Sequence, residues 1–164
     1  MSFRDKNLSV TKILKEYWFV PAAIVIILAV NIIGIRVSFT VGDSMYPTLK
    51  NGQVLIINTK NKSPERGDIV VFKTDKYSKV LIKRVIGLPG EKILIKNNNI
   101  YINNKIIKDY VDIDMKNYGV LENEILLKEN EYFAMGDNRN NSYDCRDIGP
   151  ITSDEIIGVK HMDN

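Results

Sequence analysis

From Tyr17 to Ile35 the chain reads YWFVPAAIVIILAVNIIGI, 19 residues with no charge and one polar side chain, Asn31. Wound as a helix, this run would extend about 28 Å at ~1.5 Å per residue. That is close to the ~30 Å hydrocarbon core of a bilayer. Tyr17 and Trp18 stand at one end, where amphipathic rings favour the lipid interface. Pro21 falls in the first turns, where a missing N–H matters least. A buried helix of a soluble domain is rarely apolar on every face. The apolar region of a cleaved leader is shorter, roughly 7–15 residues. The pattern therefore predicts one N-terminal transmembrane helix over 17–35. Arg4, Lys6, Lys12 and Lys15 precede it, while residues 36–50 carry only Arg36 and Lys50. That asymmetry predicts a cytoplasmic tail over 1–16 and an extracytoplasmic domain over 36–164.

Beyond Val37 the pattern changes to short apolar runs between turn residues. Val54–Ile57, Ile69–Phe72 and Lys79–Ile86 read as strands, the last ended by Gly87-Leu88-Pro89-Gly90. Ile93–Ile95, Ile100–Ile102 and Ile106-Ile107 are separated by Asn-rich turns, the signal of hairpins. Glu131–Met135 and Ile156–Lys160 complete the set. Strands at this spacing predict a mainly β, antiparallel sandwich or barrel-like domain. Residues 109–128 show no pattern and are expected to form an exposed excursion.

Composition narrows the chemistry. The net charge of +3 comes from 23 basic and 20 acidic residues, too even a balance to argue for nucleic acid. Cys145 is the sole cysteine, so no internal disulfide can form. With only His161 for company, it does not make a zinc site. No metal or cofactor is expected, and any catalysis must come from hydroxyls, carboxylates and lysines.

Gly42-Asp43-Ser44-Met45-Tyr46-Pro47-Thr48-Leu49 presents a serine on a Gly-started, Pro-stopped bend soon after the apolar run. A serine nucleophile needs a base. His161 lies three residues from the end of the chain, where order is least assured, and reads as a surface residue. A lysine base must be neutral near pH 7, which requires desolvation among apolar neighbours. Lys83, in Val80-Leu81-Ile82-Lys83-Arg84-Val85-Ile86, meets that condition, with Arg84 on the opposite face of the strand. The pattern fits equally a lysine that guards a sheet edge. Ser9-Val10-Thr11-Lys12 matches S-x-x-K, but it precedes the apolar run and lacks the partner motifs, so it reads as chance. The polar stretch Gly136–Arg146 is either a surface loop or a supporting cluster. In the second case Asp137 pairs with Arg84, Asp144 pairs with Arg146, and Ser142 orients a lysine.

Three ordered boxes behind an apolar segment resemble type I signal peptidase, the membrane-bound serine protease that removes signal peptides. The boxes are Gly42–Leu49, Ile82–Glu91, and Met135–Arg139 with Asn141-Ser142 and Asp144-Cys145-Arg146. The resemblance covers the whole chain and is closest to the compact Gram-positive form. It implies Ser44 as nucleophile and Lys83 as general base, with Ser142 bonding the lysine. It further implies structural or site-supporting roles for Asp137, Arg139, Asp144 and Arg146. The expected partners are the signal peptides of preproteins and the lipid bilayer. Met45, Leu49, Val71 and Ile82 are the candidates for shallow substrate pockets, with substrate added as a strand beside Ser38–Gly42 and near Leu81-Ile82. Two departures stand out: Cys145 replaces the usual serine, and Asp147-Ile148 stands where an aromatic residue is common. Two rival readings are a self-cleaving repressor-type Ser-Lys protease and a membrane-tethered, non-catalytic peptide binder. The apolar segment and near-neutral charge oppose the first, and the intact Ser44/Lys83 pair opposes the second.

Overall fold

The computed structural model describes residues 15–112, 115–116 and 123–162. The expected tail, apart from Lys15 and Glu16, and the Ser9–Lys12 motif lie outside these residues. The chain divides into two compact units between Gly34 and Ile35.

In the first unit, helix α1 spans Phe19–Ile33. It is shorter than the expected 17–35 at both ends. Tyr17 and Trp18 form a turn ahead of it, with the Val20 N–H donating to Tyr17 O. At the other end Gly34 adopts φ 80°, a left-handed conformation that ends helices and suits glycine. Its N–H still donates to Val30 O, and Ile35 already belongs to a strand. Fifteen residues span about 22 Å. Among the described residues no helix is long and apolar enough to cross a membrane.

The second unit is antiparallel β, as the alternating runs predict. A seven-stranded sheet has the order β1-β2-β11-β3-β4-β9-β10. Its strands are β1 (Ile35–Phe39), β2 (Val54–Asn58), β3 (Ile69–Thr74), β4 (Tyr77–Gly87), β9 (Glu131–Met135), β10 (Ile151–Thr152) and β11 (Ile156–Lys160). A four-stranded sheet has the order β7-β6-β5-β8, from β5 (Lys92–Lys96), β6 (Asn99–Ile102), β7 (Lys105–Ile107) and β8 (Ile125–Leu126). Asn97, Asn98, Asn103 and Asn104 all take positive φ in the two hairpin turns of this sheet. Asparagine tolerates that region better than other side chains, which is why the Asn pairs signal hairpins.

Two apolar clusters hold the unit together. The larger lies between the sheets and joins Val70, Phe72, Val85 and Phe133 to Ile93, Ile95, Ile100 and Ile102. The smaller packs Met45 and Leu49 of the 43–50 loop on Leu55, Ile57, Ile69 and Val71. β3 feeds both clusters by alternation, Val70 and Phe72 to one and Ile69 and Val71 to the other. This explains its unbroken apolar run, since a strand covered on both faces has no reason to alternate. Burying each such side chain contributes roughly 1.5–3 kcal/mol. Most of the described residues of 109–128 are exposed, as expected, but two are buried. Met115 and Leu127 are buried in the larger cluster, and 125–126 forms β8.

Candidate active site

The 43–50 loop is held by its own turn bonds. The Tyr46 N–H donates to Asp43 O, and the Leu49 N–H to Met45 O. Gly42, at φ 86°, bends the chain into the loop, and its N–H donates to Asn51 Oδ1. Apolar Met45 and Leu49 pin the loop to the smaller cluster. Ser44 is left facing β4.

β4 supplies the second group. Lys83 pairs with Val70 across the ladder and so shares the face of the larger cluster. It is only 2% exposed. Its Nζ donates to Ser44 Oγ at 2.7 Å. Burial lowers the lysine to about 8 from its ordinary 10.5. Asp144 pulls in the opposite direction and Arg146 reinforces the lowering, but desolvation dominates.

The last box forms a frame around this pair. Arg84, next to the lysine on β4, makes a buried bidentate pair with Asp137, Nε to Oδ1 at 2.8 Å and an Nη to Oδ2 at 2.7 Å. It also donates to Gly67 O and Thr48 Oγ1 and packs over the Tyr110 ring. Arg139 forms a bidentate pair with Asp109 and donates to Gly136 O. Asp144 accepts from the Arg146 guanidinium at two 2.9 Å bonds and from the Gly136 N–H. It also caps the short helix α2 (Cys145–Ile148). Burial disfavours its charge, but Arg146 and the Gly136 N–H outweigh that and hold its carboxyl below the usual range.

Gly136 sits where the box and the serine loop meet. A Cβ there would lie 2.6 Å from Ser44 O and would overlap Ser142 Oγ. Ser142 is thus against Gly136, and its proximity helps lower Asp144. Its Oγ reaches no hydrogen-bond geometry with any group, Lys83 included, and is the one such buried side-chain atom among the described residues. Asn138 bridges to the loop twice: its N–H donates to Ser44 O at 2.9 Å, and its Nδ2 to Asp43 O at 3.1 Å.

A groove of about 300 Å³ opens beside the pair. One wall is Ser38–Gly42 and the other is Val80–Lys83, with Ser44 and Met45 at the end. β1 is the outermost strand of its sheet. β4 meets β9 only from Arg84 onward, so its first half has a neighbour on one side alone. Two strand edges thus border the groove. Of the candidate pocket residues, Met45 and Ile82 line it. Leu49 and Val71 lie beneath, in the smaller cluster.

His161 is placed elsewhere. Its Nδ1 meets Asp68 Oδ2 at 2.7 Å. Cys145 is fully buried and its thiol is pushed up to about 12 by that burial. Among the described residues no three His, Cys, Asp or Glu side chains converge to hold a metal. The sequence pattern assigns no individual role to Asn138, Gly136 or Asp109. The first two belong to the polar box, whose density of hydrogen-bonding groups is their signal, whereas Asp109 sits in a stretch without any pattern.

Comparison with known proteins points one way. The family described as signal peptidase, peptidase S26, matches residues 12–162. Signal peptidase I V of Bacillus subtilis is 35% identical over 162 residues, covering 88% of this chain and 96% of its own. Signal peptidase I S of the same organism is 36% identical over 171 residues, covering 95% and 91%. A crystal structure of a signal peptidase I from Enterococcus faecalis V583 is similar at TM-score 0.50 and 28% identity, over 60% of this chain and 97% of that one.

Proposed function

Because this chain belongs to the signal peptidase family, peptidase S26, we propose that Ser44 and Lys83 are the residues with which it cuts. The protein is a serine peptidase that removes signal peptides from preproteins. The observation that carries the assignment of residues is the 2.7 Å contact between Ser44 Oγ and a buried lysine lowered to about 8. In the neutral form, Lys83 Nζ accepts the Ser44 proton as Oγ adds to the scissile carbonyl carbon. The Ser44 N–H donates to the oxyanion that forms. As the C–N bond breaks, the lysine returns the proton to the leaving amine. Water, deprotonated by the same lysine, then releases the acyl group from Ser44.

The groove suits an extended peptide. A substrate strand between Ser38–Gly42 and Val80–Ile82 would bond to both strand edges. Small side chains before the cut fit a shallow floor made by Met45 and Ile82 and backed by Leu49 and Val71. Arg84, Asp137, Arg139, Asp144, Arg146 and Ser142 act as support, holding the serine loop to β4.

The apolar segment 17–35 attaches the protein to the bilayer, with the catalytic unit on the extracytoplasmic side. Ile24, Val25, Ile26, Ile27 and Leu28 are all more than half exposed, so lipid is the natural cover for them. In the catalytic unit, Val37, Phe39, Val54 and Ile56 are also exposed on neighbouring strands, an apolar face suited to the same surface. The flanking charges support the orientation.

The test is cleavage of a preprotein by the purified protein in detergent. Ser44→Ala and Lys83→Ala should each abolish it. Normal cleavage by the Lys83→Ala protein would overturn the dyad.

A further inference from the structure

We infer that Asn138 is a positioning residue that aims the Ser44 N–H at the oxyanion, an inference that rests on Ser44 being the nucleophile. The carbonyl of Asp43 and the N–H of Ser44 belong to the same amide, and the cis bond of this loop is a different one, Tyr46–Pro47. In a trans peptide these two groups point in opposite directions. Whatever fixes the carbonyl therefore fixes the N–H.

Two donors hold the Asp43 carbonyl. The Tyr46 N–H approaches at 3.0 Å from within the loop. Asn138 Nδ2 approaches at 3.1 Å from the last box. A single bond leaves the peptide plane free to rock about it, and a second from another element restrains that rocking. Asn138 is itself fixed by its own backbone. Its N–H donates to Ser44 O at 2.9 Å, and its carbonyl accepts from the Asn141 N–H at 2.9 Å. The next amide of the loop is thereby held as well. Asn138 is outside the groove, whereas Gly42 and Ser44 line it. The amide is thus gripped from the side away from substrate, and the N–H is directed away from Asn138.

The chemistry demands such a grip. An oxyanion donor works because it is oriented before charge develops, and losing one outright costs about 10²–10³ in rate. Here the Ser44 backbone N–H, on a loop, supplies that donor. Gly42, without a side chain, cannot add a hydroxyl. Two elements, the loop and the box, share the job of aiming it.

The experiment compares the full-length wild type with Asn138→Ala, Asn138→Asp and Asn138→Gln on a signal-peptide substrate. All three keep the backbone N–H bond to Ser44 and change only the side-chain donor. Asn138→Ala should lower kcat about tenfold with KM within twofold, and Asn138→Asp, close in shape but without the donor, should fall at least as far. Asn138→Gln, which retains the donor, should recover part of the loss. Inhibition by a peptide aldehyde, whose adduct carries an oxygen at the oxyanion position, should weaken in step with kcat. Binding of the uncut peptide, measured on the Ser44→Ala background, should be unaffected by the change at 138. An unchanged kcat, or a rise in KM alone, would overturn the inference. So would equal losses in the Ala and Gln proteins. If Ser44→Ala itself retained cleavage, the underlying assignment would fail instead, and the two failures are separate results.

Discussion

At pH 7 a lysine of ordinary basicity is almost never neutral, whereas one lowered to about 8 is neutral in roughly one molecule in ten. With buried Lys83 as the proposed base, kcat/KM on an uncharged peptide should rise about tenfold per pH unit below 8 and level off above it. A flat profile between pH 6 and 9 would contradict that role. The same burial has a consequence for folding. The unfolded chain binds the Lys83 proton more tightly than the folded one, so between pH 8 and 10.5 it holds more protons. This group's contribution to stability is least favourable below pH 8 and improves as pH rises through that window. Lys83→Met should stabilise the fold at pH 7, by up to about 3 kcal/mol, with the gain fading toward pH 10.5. Thermal melts across that range measure it. The apolar setting of Lys83 was legible from its neighbours in the chain. The lysine's distance from Ser44 was not, because 39 residues separate them and only the folded sheet brings them together.

At the level of elements, the site is a meeting of a loop, a strand and a polar box. Gly136 marks where the last touches the first. Gly136→Ala has no room for its methyl without moving Ser142 or the Ser44 carbonyl. Displacement of a reacting group by about 1 Å costs on the order of 10² in rate. Gly136→Ala should lose cleavage to about that extent, and a crystal structure of the variant should show the serine loop moved from Lys83. Full activity would mean that the loop tolerates the shift. The pairs Arg84–Asp137 and Arg146–Asp144 could be anticipated from complementary charge. Arg139 found Asp109, in a region without periodicity, because its partner is set by tertiary packing alone. Long apolar strands were readable for the same reason that they are stable, while the two-residue strands β8 and β10 are too short to carry a period. Helix α1 ended earlier than its apolar run because Gly34 turned the backbone into β1 while the side chains stayed hydrophobic.

For the molecule as a whole, function depends on where the catalytic unit meets its substrate. Val37 and Ile56 face each other across β1 and β2, at 61% and 58% exposure. Changing both to threonine keeps β-branched side chains on the strands but removes much of their affinity for lipid. Cleavage of a soluble peptide in detergent should stay within twofold, while processing of a preprotein in liposomes should drop several-fold. Equal processing in both settings would show that this face does not engage the bilayer. The buried thiol of Cys145 bears on how such questions can be asked. Closed off from solvent and with its thiol raised by burial, it should not react with maleimides or iodoacetamides in the native state. The wild-type chain therefore serves as its own blank for site-directed labelling. One cysteine introduced at exposed Val41 would carry a single fluorophore at the rim of the groove and report, by its emission, the arrival of a signal peptide.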